Sequence, residues 1–285
     1  MNQDKREQLD VDGFCIIPNL LPPELLARIQ AESNRILEAL PKEHEQDNRS
    51  TGSMVSVYES PVFAELIALP EAQAALRSLG FSEAGFSSGY IISKPAKSPR
   101  LFWHYDWAGW DAPESFTVRP TPQVFFMYYL VNTTPHNGCL RVVPGSHLGD
   151  NDLIPLLDEA HAPELRAAAN LDKPAFSDRP DEVNVCITAG DLLIGDSRLL
   201  HASHANESDE RRTVITLWFH PDPHTFGGRL QAFCANMAAQ PPKEWPEEAR
   251  EKVSEVLCRY DGDEEAWPWN RHRPFSVPVA GSPTP

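Results

Sequence analysis

The chain has 285 residues, 41% hydrophobic and 23% charged, which is enough apolar material for a sizeable core and an ordinary charge content for a globular protein. A formal net charge of −16, from 25 Lys and Arg against 41 Asp and Glu with no basic run, argues against nucleic acid or an anionic membrane surface as partner. No stretch approaches the roughly 18 apolar residues of a membrane span, and the charged opening MNQDKREQLD lacks the apolar stretch of a signal peptide. The five cysteines are scattered without a C-x-x-C pair, so reduced thiols in a cytoplasmic protein are expected; Cys15 and Cys186, inside apolar runs, are expected in the core.

In chain order, Phe14–Pro18 reads as a short strand, and Pro22-Pro23-Glu24 opens a helix, since proline is tolerated in a first turn and an acid suits its positive end. Leu25, Leu26, Ile29, Ile36, Leu37 and Leu40 keep helical spacing up to Pro41; a polar loop, His44–Ser53, follows. A second helix is predicted over Glu71–Leu79, capped by Gly80. The pattern then turns to strands: Phe86–Ile92, Leu101–Tyr105, Gln123–Asn132, Leu140–Val143, Val183–Thr188, Asp191–Ile194 and Thr213–Phe219. Thr188–Asp191 reads as a tight hairpin turn. The segment 148–182 is mixed helix and loop, and such a length inside a β fold marks a cover or an insertion. A last helix is predicted over Pro246–Arg259, within a C-terminal helix and irregular tail spanning 245–285. Helices first and then many strands predict one α+β domain, mainly β, over 1–285, built around a sandwich or barrel.

The chemistry concentrates in Trp103-His104-Tyr105-Asp106 and in His201, at the end of the run Gly190–His201. Strand residues two apart share a face, so His104 and Asp106 can reach one metal, and His201 supplies a second imidazole. Two imidazoles and one carboxylate form a facial triad that leaves positions open on Fe(II) for O2 beside a chelating keto acid. An H-x-D pair by itself is a weak signal. Arg211 and Arg212 open the Thr213–Phe219 strand, where a guanidinium can grip a carboxylate through two parallel hydrogen bonds. Successive strand residues face opposite ways, so one of the two points inward. The competing reading of Arg212 is an ion pair with Glu207, Asp209 or Glu210.

Three blocks carry a family resemblance. Asn137-Gly138-Cys139-Leu140 through Pro144-Gly145-Ser146-His147 resembles the N-G-x-L-x-x-x-P-G-S-H signature of the phytanoyl-CoA dioxygenase family. His201-Ala202-Ser203 through Asn206 and Ser208 to Arg212 resembles its H-x-S-x-x-N-x-S-x-x-x-R block, and Trp103–Trp107 its W-H-x-D block. The opening, Asp12-Gly13-Phe14 to Leu25, is similar to the family's first strand and helix, so the resemblance covers roughly residues 8–220. It implies a double-stranded β-helix, a cupin-like jelly roll with flanking helices. It also implies Fe(II) held by His104, Asp106 and His201, with 2-oxoglutarate as co-substrate anchored by Arg212 with help from Ser203. Its register selects Arg212 over Arg211 and His201 over His204.

The implied reaction is hydroxylation of a C–H bond in a small molecule by O2, with release of succinate and CO2. The carboxylate at Asp106 favours hydroxylation over halogenation, which in related enzymes needs a small residue there. Two other readings remain: a non-catalytic cupin that binds a metal or ligand, and a protein-modifying oxygenase of the same superfamily. His147 is read as a turn-stabilising donor, and His136, His220 and His224 as surface or structural histidines. Lys94 is read as structural or as a partner for a substrate anion, and the 107–122 segment as part of a pocket wall or lid, or else a packed surface loop. The substrate, the oligomeric state, and hydroxylation as against desaturation, epoxidation or ring chemistry do not follow from the sequence.

Overall fold

The computed structural model describes residues 2–275, with side chains from residue 5 onward; positions 276–285 of the predicted tail lie outside the described residues. Among the described residues ten strands form: β1 (Phe14–Ile17), β2 (Val55–Ser56), β3 (Ala84–Lys94), β4 (Leu101–His104), β5 (Val124–Tyr129), β6 (Leu140–Val142), β7 (Val183–Val185), β8 (Leu192–Asp196), β9 (His201–Ser203) and β10 (Arg212–Pro221). They make two antiparallel sheets, one ordered β1-β8-β5-β10-β3-β2 and the other β4-β9-β6-β7. The helices are α1 (Asn2–Asp12), α2 (Pro23–Glu38), α3 (Lys42–Asp47), α4 (Phe63–Ile67), α5 (Pro70–Ser78), α6 (Pro163–Arg166), α7 (Gly228–Asn236) and α8 (Glu247–Val256). This is the expected double-stranded β-helix, a jelly roll with flanking helices. Among the described residues, no helix is long and apolar enough to cross a membrane.

Strand β5, Val-Phe-Phe-Met-Tyr-Tyr, is buried throughout. Alternation sends Phe126 and Tyr128 to the core beneath the helices, and Phe125, Met127 and Tyr129 into the core between the sheets. A strand covered on both faces reads as a continuous apolar run. Helix α2 begins on Pro23 and buries Leu25, Ile29, Ile36 and Leu37 against the larger sheet. Each such aliphatic side chain contributes about 1.5–3 kcal/mol, and Pro41, which cannot continue a helix, follows its end.

Several elements differ from expectation. Helix α1 carries one buried apolar residue, Leu9, and is docked instead by Arg6, which donates to Leu79 O at 2.6 Å and stacks on Phe81. Helix α3 stands where a polar loop was expected; it buries no residue, so no periodicity announces it. Thr188–Asp191 is a turn, with Asp191 N donating to Thr188 O at 3.0 Å and Gly190 at φ 93°. It joins β7 of one sheet to β8 of the other and so is not a hairpin. Cys15 is buried as expected, whereas Cys186 is exposed, because it follows β7 at the edge of the smaller sheet.

Candidate active site

Strands β4 and β9 pair with His104 opposite His201, and the two imidazole centroids lie 4.2 Å apart. Each Nδ1 meets the carbonyl oxygen two residues back, Phe102 O for His104 and Leu199 O for His201, both at 3.0 Å. A carbonyl only accepts, so each Nδ1 carries the hydrogen and each Nε2 presents a lone pair. Those two lone pairs face a single carboxylate: His104 Nε2 stands 3.4 Å from Asp106 Oδ1, and His201 Nε2 3.8 Å from Asp106 Oδ2.

Asp106 lies just past the end of β4. The backbone N–H groups of Asp106 and Trp107 both donate to Ser197 O at 2.9 Å, and Trp218 Nε1 donates to Asp106 Oδ2 at 2.9 Å. Burial opposes its ionisation, and only the positive charge that His201 or His104 carries when protonated, or a cation in their place, lowers the carboxyl below the usual range. His201 is pushed down to about 4, first by burial and then by His104, so its lone pair is free at neutral pH.

His201 is held from behind by the Asn137–His147 motif block. Ser146 Oγ accepts from Leu200 N at 2.9 Å, and Val143 N donates to Leu200 O at 3.1 Å. Phe125 packs its ring 5.2 Å from the His201 imidazole. That ring lies over Gly195, where a Cβ would stand 2.3 Å from it. His147 is buried in the same turn with Nε2 against Asp10 O at 3.2 Å, which suits its reading as a turn-stabilising donor.

The sequence reading missed His161. Its ring centroid lies 5.0 Å from that of His104, and one ligand atom each from His104, Asp106 and His161 lie within 4.8 Å of one another. It belongs to the 148–182 segment, at a backbone φ of 65°, and its buried Nδ1 has no partner. No motif surrounds it, and only the folding of that segment over β4, through Phe176 on Phe102 and Ser177 O on Trp103 Nε1, brings it in.

Arg212 is 3% exposed while Arg211 faces solvent, as strand alternation requires. Of the three acids that might have paired with it, Glu207 faces His136, Asp209 pairs with Lys97 and Glu210 is exposed. Arg212 Nε, Ser203 Oγ on β9 and Thr216 Oγ1 on β10 are all buried without a hydrogen-bond partner. Three orphaned donors in one wall are costly unless a ligand satisfies them.

The loop that delivers Arg212 is organised by Asn206. Its Nδ2 donates to Pro95 O and Glu210 O at 2.9 and 2.8 Å, and its Oδ1 accepts from Ser208 Oγ at 2.6 Å. His204 turns away, to Asn184. Lys94 is opposite Arg212 in register and fully buried. Its ammonium donates to Ser50 O at 2.8 Å and to Pro99 O, which favours the structural reading. His220 is buried with Nδ1 donating to Pro122 O at 2.8 Å, and His136 and His224 lie at the surface beside Glu207 and Glu83.

All five candidate residues line one cavity of about 180 Å³. Its walls include Tyr129, Thr216 and Trp218, and its outer part is formed by His161, Met237, Trp269 and Arg271. None of residues 107–122 lines it. Trp107 and Trp110 are instead buried in a core with Leu230 and Phe233 of α7, while Asp111, Pro113 and Arg119 are exposed, so that segment is a packed loop and not a pocket wall.

Comparison with known proteins gives the same answer from a different direction. The family model described as Phytanoyl-CoA dioxygenase (PhyH) matches residues 9–214. The ectoine dioxygenase of Nocardia farcinica (strain IFM 10152) is 25% identical over 240 residues, 79% of this chain and 80% of that one. The multifunctional dioxygenase prhA of Penicillium brasilianum is 25% identical over 220 residues, 72% and 68% of the two chains. Among solved structures, HygX from Streptomyces hygroscopicus with nickel and 2-oxoglutarate bound has a TM-score of 0.59 at 20% identity, covering 78% of this chain and 88% of that one. The epimerase SnoN in complex with Fe3+, alpha ketoglutarate and nogalamycin RO has a TM-score of 0.56 at 20% identity, covering 77% and 83%. The structural likenesses establish the fold. With the family match spanning most of the chain, the protein belongs to the phytanoyl-CoA dioxygenase family and is a 2-oxoglutarate-dependent dioxygenase that works with Fe(II).

Proposed function

We propose that this enzyme hydroxylates a C–H bond of a small molecule while 2-oxoglutarate is converted to succinate and CO2, and that His104, Asp106 and His201 hold the iron. The observation that carries the reading is the meeting of two imidazole lone pairs with a carboxylate and no donor hydrogen between them. Three acceptors in a buried site repel one another unless a cation stands among them. Nitrogen and carboxylate donors suit ferrous iron, which when bound supplies the activation of O2.

The chain's own residues do the rest. The Nδ1 bonds to Phe102 O and Leu199 O hold both rings in the ligating tautomer, and Trp218 fixes the orientation of Asp106 through Oδ2. Arg212 takes the distal carboxylate of 2-oxoglutarate, with the free hydroxyls of Ser203 and Thr216 donating beside it. The apolar wall formed by Met127, Tyr129, Leu140 and Val214 excludes water from the reacting centre. A cavity of about 180 Å³ supports a small substrate over a peptide. His201 is favoured over His161 as third ligand because its ring is tied by a backbone bond and paired across the ladder with His104, whereas nothing holds His161 Nδ1.

The test is an anaerobic titration with Fe(II) and 2-oxoglutarate, followed through the charge-transfer absorption expected near roughly 500 nm. A screen for succinate release follows, with ectoine, the compound named for several relatives, as the first trial substrate. Absorption lost in His201→Ala and kept in His161→Ala supports the assignment; the opposite result would make His161 the ligand.

A further inference from the structure

We infer that the substrate carries a carboxylate and that Arg271, with His161 beside it, anchors that group on the outer side of the cavity. This rests on the function proposed above and adds the substrate's chemical class to it. Arg271 comes from the tail that follows α8, beyond the residues the family model covers, yet it lines the same cavity as His104 and Asp106. Its Nη1 is buried without a partner, as is Nδ1 of His161. The acids whose charge reaches it, Asp106 and Glu159, make no hydrogen bond to that nitrogen.

Charge makes the case sharper. With the site loaded, two positive charges on the ferrous ion and one on Arg212 meet one negative charge on Asp106 and two on 2-oxoglutarate, so the floor of the cavity is neutral. Lys94 stands behind Arg212 on backbone carbonyls and does not line the cavity. Arg271 is therefore faced from outside the cavity only by the solvent-exposed Glu159, which does not line it, and stands as a cation in a partly desolvated mouth whose unsatisfied N–H needs an acceptor. Nothing in the neutral floor supplies one, and an incoming carboxylate does.

The mouth also offers an apolar surface. Trp269 is 57% exposed although it lines the cavity; its ring packs 6.2 Å from Phe233, and the Arg271 guanidinium lies 5.0 Å from its centroid. A substrate with a carboxylate on Arg271 can rest its carbon skeleton on that ring. The net charge of −16 works against drawing anions from bulk solution, so recognition has to be short-ranged, as a guanidinium at the mouth provides.

The experiment uses calorimetry on the full chain loaded with nickel(II) and 2-oxoglutarate, with benzoate as probe and benzamide as its uncharged match. The inference expects benzoate to bind and benzamide to bind at least about tenfold more weakly. Arg271→Gln should lose benzoate binding by a similar factor, Arg271→Lys should recover part of it, and 2-oxoglutarate affinity should stay unchanged throughout. Equal binding of the two probes, no binding of benzoate to the wild type, or unaltered benzoate binding in Arg271→Gln overturns it. A parallel loss of 2-oxoglutarate affinity in Arg271→Gln also overturns it, by assigning Arg271 to the co-substrate. If the nickel-loaded wild type fails to bind 2-oxoglutarate, the proposed function itself falls and this inference falls with it, which separates the two failures.

Discussion

Arg212 offers a prediction with two parts. Its guanidinium is buried, its Nε is unpartnered, and burial pushes its pKa down. It also helps depress the neighbouring Lys94, whose burial is the larger cause. In the unloaded protein it is thus a buried cation with no counter-charge. Replacing a buried ion by an apolar side chain of similar volume is often neutral or stabilising by about 1–4 kcal/mol. The contact of Arg212 with the Tyr129 ring, at 5.6 Å and with both groups buried, contributes about 2 kcal/mol the other way. Arg212→Met should therefore shift the stability of the metal-free protein by no more than about 2 kcal/mol in either direction. The same change should weaken 2-oxoglutarate binding by about 2–5 kcal/mol, roughly 30- to 4,000-fold. Urea unfolding reads both effects. With nickel(II) and 2-oxoglutarate at about 100 times the wild-type Kd, the wild type gains about 2.7 kcal/mol, and the variant, its Kd raised at least 30-fold, gains less than about 1 kcal/mol. A variant that is several kcal/mol less stable without ligand, yet gains as much from 2-oxoglutarate as the wild type, would show that Arg212 is a structural residue.

Three further outcomes follow from named contacts. His104→Ala should abolish the charge-transfer absorption of the Fe(II)·2-oxoglutarate complex while leaving the far-ultraviolet circular dichroism intact; persistence of the absorption removes His104 from the ligand set. Trp218→Phe deletes the indole donor to Asp106 Oδ2 and should reduce metal affinity about 10- to 100-fold, measured by competition with a chelator; an unchanged affinity would mean that Asp106 is oriented by Ser197 alone. Burial, the larger cause in both, holds His147 and His220 down to about 4 from the ordinary 6.5. Between those values the unfolded chain binds more protons, so the metal-free protein should lose stability as the pH falls from 6.5 to 4. The loss is up to roughly 3 kcal/mol per imidazole, and His220→Gln should flatten the slope of stability against pH; the same slope in that variant and in His147→Gln would show that both rings charge freely.

Much of the candidate site was legible because its residues sit in short blocks whose local geometry is dictated by neighbours in sequence. The Pro-Gly-Ser-His turn is closed by Ser146 N on Val143 O and Leu148 N on Gly145 O, and the Asn206 loop by bonds from Asn206 to Glu210 O and from Ser208 to Asn206 Oδ1, while Ser146 Oγ and Asn206 Nδ2 also reach the distant Leu200 and Pro95. Strand alternation required that one of Arg211 and Arg212 face inward, and the register of the family resemblance selected Arg212, which is the buried one. Helices α1 and α3 were not legible, since one docks through Arg6 and the other buries nothing. Trp107 and Trp110 suggested a pocket wall through their position after the ligands, but the pairing of that segment with α7 sent them into a core.

By itself the sequence determined the strand alternation, the order of the motif blocks, and with them the jelly roll and the kind of chemistry. Only the tertiary structure decided that His104 and His201 stand opposite one another across the β4–β9 ladder, and that His161 and Arg271 reach the cavity at all. The reason is physical. Alternation and turn chemistry act over a few residues and leave periodic marks, whereas the cover segment and the tail are placed by contacts with distant strands that no local pattern records.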